Sequence, residues 1–97
     1  MSRLQDRVTR VERTAGRVID GKAVIVVIDS RELHTLNEVG TFVWELLGEA
    51  SGASVSDVIE AVEAAYEVDR ETAERDVLRF LETMSDLGTL RVEGGST

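Results

Sequence analysis

The chain has 97 residues, with 11 Lys and Arg against 19 Asp and Glu, one His and no Cys. That length holds one domain around one core, with no second lobe and so no interdomain cleft. A formal charge of -8 at pH 7 argues against nucleic acid and anionic membrane as general partners, because both attract cationic surfaces. The lack of Cys excludes disulfides, thiolate metal sites and a Cys nucleophile. One Trp, one Tyr and two Phe leave the core to aliphatic side chains.

The N-terminus, Met1-Ser2-Arg3-Leu4-Gln5-Asp6-Arg7, turns charged at once and carries no signal-peptide apolar region. No apolar run approaches the roughly 20 residues that span a bilayer. These features predict a cytoplasmic protein: one domain over residues 1–97, ordered over about 8–92, with a flexible N-terminus and C-terminal tail.

The first third has the period of strands. Val8 to Thr14 predicts a weak strand, and Ala15-Gly16 a bulge or bend dividing it from Arg17-Val18-Ile19. Asp20-Gly21 suits the two positive-φ positions of a type I′ turn, so Val18-Ile19 and Lys22 to Ile28 predict a β-hairpin. Val24 to Ile28 is apolar throughout, as expected of a central strand. After the polar turn Asp29–Glu32, Leu33-His34-Thr35-Leu36 predicts a short third strand at the sheet edge.

From Asn37 the period becomes helical. Asn37 is a favourable N-cap, and Val39, Phe42, Val43, Leu46 and Leu47 follow at i, i+3, i+4, i+7 and i+8. Gly48 and the loop Glu49–Ala53 end this helix. Ser54 and Asp57 resemble a capping box for a second helix that buries Val55, Val58, Ile59, Val62 and Tyr66. Asp69 caps a third helix with the stripe Ala73, Val77, Phe80, Leu81, Met84 and Leu87, and Gly88 stops it. Leu90 and Val92 suggest a short extended piece before the tail Glu93–Thr97.

Catalytic chemistry finds little support. His34 is the sole imidazole, with no nucleophile or orienting carboxylate beside it in the pattern, and reads as a half-buried strand position. The carboxylates fall mainly on the polar faces of the second and third helices, where solvation explains them. No calcium-loop spacing and no Gly-rich phosphate loop occur. The sequence therefore predicts no catalytic, metal or cofactor site. Two features point to binding. One is the edge strand, which a peptide strand can extend. The other is Leu78, an apolar residue off the main stripe with Glu74, Arg75, Glu82 and Ser85 around it.

His34-Thr35-Leu36-Asn37, Val43-Trp44-Glu45-Leu46-Leu47, Ser54-Val55-Ser56-Asp57-Val58-Ile59, Ala65-Tyr66-Glu67-Val68-Asp69, Asp76-Val77-Leu78-Arg79-Phe80-Leu81 and Leu87-Gly88-Thr89-Leu90 occur in this order. Together they resemble the PqqD family, which includes the recognition elements of ribosomally made, post-translationally modified peptides. The resemblance implies an α+β, winged-helix-like domain of three antiparallel strands followed by three helices. It also implies a non-catalytic peptide chaperone that captures a precursor's leader segment as a fourth strand. The implied partners are that leader peptide and a modifying enzyme, often a radical S-adenosylmethionine enzyme, with the chain a monomer or homodimer. Carried onto this sequence, the implied peptide site is Leu33, His34, Thr35 and Leu36 with the helix face Glu74, Arg75, Leu78, Arg79 and Glu82. His34 departs from the aromatic or aliphatic residue more frequent there. The alternative is a winged-helix DNA-binding regulator reading with the third helix, whose Arg70, Arg75 and Arg79 sit among Asp69, Glu71, Glu74, Asp76 and Glu82.

Overall fold

Asp20 and Gly21 take φ of 54° and 80°, the left-handed pair that lets two strands reverse in two residues. The computed structural model describes residues 3–48 and 52–94. Within them run β1 (Arg7–Arg10), β2 (Thr14–Ile19), β3 (Lys22–Val27), β4 (Glu32–Thr35), α1 (Glu38–Leu46), β5 (Ala53–Ser54), α2 (Val55–Tyr66), α3 (Arg70–Asp86) and β6 (Leu90–Glu93). Residues 49–51 of the expected loop and 95–97 of the expected tail lie outside the described residues.

The strands form two antiparallel three-stranded sheets, ordered β2-β3-β4 and β5-β1-β6. This corrects the expectation of one sheet. After β1 the chain turns through Val11–Arg13, and the Val11 N–H donates to Thr89 O at 3.0 Å. Arg7 to Arg10 then pair with Glu93 to Leu90, and Arg7 and Val8 also meet Ser54 and Ala53. The extended piece at Leu90 and Val92 is thus a full partner strand.

Ala15 and Gly16 do not bend the chain, and β2 pairs without interruption from Thr14–Val27 to Ile19–Lys22. Glycine is needed for a different reason. A Cβ at Gly16 would lie 2.8 Å from Trp44 Nε1 and 3.0 Å from Ile25 Cδ1, so the indole packs against bare backbone. Trp44 itself is buried, although the apolar stripe passed over it, and Leu46 is 36% exposed where the stripe placed it inward. Arg10 stacks 4.4 Å from the Trp44 ring centroid and donates to the Trp44 carbonyl through Nε at 3.0 Å and through Nη2. Its partial burial lowers its pKa, which the nearby Glu45 carboxylate opposes. One side chain thereby ties the β1 sheet to α1.

All three expected N-caps form. Asn37 Oδ1 accepts from Gly40 N–H at 2.8 Å, Ser54 Oγ from Asp57 N–H at 3.1 Å, and Asp69 Oδ1 from Thr72 N–H at 2.8 Å. The helices bury Val43, Leu47, Val55, Val58, Ile59, Val62, Val77, Leu81 and Met84 against Val8, Ile25 and Leu90. Each such side chain contributes roughly 1.5–3 kcal/mol of transfer free energy. At the N-terminus, Leu4 packs onto this core and Asp6 O accepts from Val55 N–H at 2.9 Å.

Candidate functional site

Among the described residues, β4 pairs with β3 on one side alone. Leu36 N–H donates to Ala23 O at 2.8 Å. Antiparallel alternation then directs the backbone groups of His34 and Glu32 toward β3 and those of Leu33 and Thr35 toward the free edge. Two N–H and two C=O groups therefore point outward from a short strand.

The free edge faces α3. Leu33, His34, Thr35 and Leu36 line a groove of about 370 Å³ whose opposite wall is Phe80, Thr83, Met84 and Leu87. Positions 80, 83, 84 and 87 share one helix face by the i, i+3, i+4, i+7 rule. Phe80 and Leu87 are half-buried, packed against the core on one side and open to the groove on the other. At Asn37, Phe80 and Thr83 the groove joins a second cavity, of about 410 Å³, which Arg79 and Asp76 border. The result is a channel along α3 with apolar walls and polar backbone on one rim.

His34 faces the helices, opposite Ile25 on β3. Its side chain is 23% exposed, and Nε2 lies 3.5 Å from Glu32 Oε1. That contact is not a hydrogen bond, and buried Nε2 has no hydrogen-bond partner among the described residues. The other polar side chains lining the groove are Thr35, Asn37 and Thr83. Among the described residues, no group of three or more His, Cys, Asp or Glu is arranged to hold a metal ion.

The helix residues expected at the site separate in space. Arg79 borders the channel. Leu78 and Glu82 line another cavity, of about 190 Å³, with Asp6, Val55, Leu81 and Val92. At 100° per residue Leu78 stands about half a turn from Leu87 and Phe80, across the helix from β4. Arg75 is exposed, with its Nε 3.7 Å from Asp76 Oδ1, and Glu74 lines neither wall of the groove. Phe80, Thr83, Met84 and Leu87 were not among the expected site residues. Their signal was the width of the α3 stripe. Ala73, Val77, Leu81 and Met84 already fill the buried arc, leaving Phe80 and Leu87 as apolar surplus on its flank.

The comparisons with known proteins agree with this architecture. The structure described as TbiB1 in complex with the TbiA(beta) leader peptide superposes with a TM-score of 0.79 at 29% identity, over 86% of this chain and 94% of that one. Lasso peptide synthetase B1, complexed with the leader peptide, superposes with a TM-score of 0.75 at 24% identity, over 88% of this chain and 98% of that one. No curated protein matches the sequence. The family described as coenzyme PQQ synthesis protein D (PqqD) matches residues 22–90, which spans β3 through Leu90 and so includes both walls of the groove. The chain belongs to the PqqD family.

Proposed function

We propose that the chain is a non-catalytic peptide chaperone. It binds the leader segment of a ribosomally made precursor as an added strand on β4 and presents it to a modifying enzyme. The observation that carries this reading is the groove between the free β4 edge and the Phe80–Leu87 face of α3. Backbone donors and acceptors of Leu33 and Thr35 supply the ladder, and Phe80, Met84 and Leu87 receive alternate leader side chains. TbiB1, the relative at 29% identity, is in complex with a leader peptide, which supports the same use here. The reading is of a cytoplasmic, winged-helix-like domain that works through its sheet edge.

Charge disfavours the DNA-binding alternative. Arg70 lies 3.7 Å from Glu63 and Arg75 lies 3.7 Å from Asp76, so carboxylates sit beside the cations a recognition helix would offer to phosphates.

Titration against the leader of the precursor encoded beside this chain tests the proposal. Binding between low micromolar and nanomolar is expected, about 8–12 kcal/mol. It should change little with salt, whereas phosphate-driven binding would weaken by orders of magnitude. No binding to any neighbouring leader, with salt-sensitive duplex binding instead, would overturn it.

A further inference from the structure

Among the described residues that line the leader groove, His34 is the one titratable side chain, and strand addition alone gives it no task. Its surroundings are apolar or neutral. Ile25 lies opposite on β3, and Phe80, Thr83, Met84 and Leu87 come from α3. Glu32 is the charged group beside the ring, with Oε1 3.5 Å from Nε2 and also accepting from Ser30 Oγ at 3.4 Å. Among the described residues neither ring nitrogen makes a hydrogen bond, but Nε2 is buried whereas Nδ1 is open to solvent.

The Glu32 carboxylate decides which nitrogen holds the proton. Neutral imidazole has one N–H and one lone pair. A lone pair on Nε2 would face a negative oxygen, so the favoured tautomer carries its hydrogen on Nε2. Nδ1 is then an acceptor. The ring is closed off by β3 and by the core, so its open side is the free edge of β4. A leader that continues the antiparallel sheet covers that side. The backbone groups of His34 point to β3, so its leader counterpart falls in a non-hydrogen-bonded pair. In such pairs the Cα atoms are about 4.5 Å apart and the side chains are closest.

Residues paired across strands share a face, so the counterpart's side chain enters the groove beside the ring. With an apolar residue there, Nδ1 would lose its water while Nε2 is already unpaired, and a donor from the leader removes that cost. We infer that His34 is a specificity-determining residue: it selects a neutral hydrogen-bond donor, a hydroxyl or a carboxamide, at the leader position opposite it. An ammonium or guanidinium also donates, but would lose its own water among Phe80, Met84 and Leu87. The inference rests on the proposed leader binding and names the chemistry that this site prefers.

The test titrates the full chain and its His34→Leu variant with the leader of the precursor encoded beside it. A leader series accompanies it, in which each donor residue in turn becomes its apolar counterpart: threonine to valine, serine to alanine, tyrosine to phenylalanine, asparagine or glutamine to leucine. One of these changes should weaken binding to the parent about tenfold, and binding to His34→Leu by less than about twofold. Parent affinity for the unchanged leader should fall between about pH 8 and pH 5, because a protonated imidazole has no acceptor, while that of His34→Leu stays level. Leucine suits a half-buried strand position, and the leader series and the parent's pH profile stand without the variant. A series in which no donor loss matters, or matters equally in both proteins, overturns the inference alone. So does parent affinity that rises as the pH falls, the sign of a leader carboxylate on the imidazolium. A leader that fails to bind the parent at all overturns the proposed function as well.

Discussion

Thr35→Pro isolates the strand edge from the rest of the fold. Thr35 pairs with Val24 across β3, but the Leu36 N–H bond to Ala23 O sets an alternation that aims the Thr35 N–H outward, away from β3. Proline at that position removes a donor that only an added strand would use, and an edge strand accepts it. The residue before it, His34, already has the extended backbone that proline requires of its neighbour. One backbone hydrogen bond contributes about 0.5–1.5 kcal/mol net. The pyrrolidine ring also holds the incoming strand off the adjacent carbonyl, so a second bond of similar size goes with it. The sum, about 1–3 kcal/mol, weakens leader binding by roughly five- to hundredfold. Thr35→Ala keeps the N–H and should stay within about threefold. Leu36→Pro is the structural contrast, since it removes the donor to Ala23 O inside the sheet and should lower the melting temperature markedly. Fluorescence anisotropy with labelled leader, beside circular-dichroism melting, reads both effects. A folded Thr35→Pro chain that binds leader as tightly as Thr35→Ala would refute β-addition at this edge.

Three further outcomes follow from the packing. Leu87→Ala removes an apolar wall of the groove and should weaken leader about tenfold, whereas Leu78→Glu, on the other side of α3, should leave the titration curve unchanged. Gly52 has φ of +69°, and a Cβ there would run into the Val8 carbonyl oxygen, so Gly52→Ala should cost more than about 2 kcal/mol in urea unfolding without altering the groove. Hydrogen bonds from Thr72 hold the Asp69 carboxyl below its usual pKa, so its stabilising contribution is complete above about pH 4 and lost as acid protonates the folded form. Asp69→Asn keeps the cap and should flatten that part of the acid limb in melts between about pH 2 and 6.

Local chemistry was enough to define most of the elements. Asn37, Ser54 and Asp69 cap helices because a short side-chain oxygen can reach the N–H of the third residue on, which depends on no distant residue. Asp20-Gly21 and Gly88 mark turns through backbone conformations that few residues adopt. The spacing of Val55, Val58, Ile59 and Val62 declares which side of α2 is buried, and the edge strand was legible as a short β-rich run after the hairpin. What the sequence alone left open is long-range. Pairing of Arg7–Arg10 with Leu90–Glu93 joins the two ends of the chain and splits one expected sheet into two, and no local period encodes a partner so distant. The rotation of α3 is of the same kind. Its periodicity separates core from surface, but which flank lies against β4 depends on how Val77, Leu81 and Met84 seat on α1 and α2. That seating puts Phe80, Thr83 and Leu87 on the groove and carries Leu78 to the far side. A helix has two margins beside its buried stripe, and only the tertiary packing chooses between them.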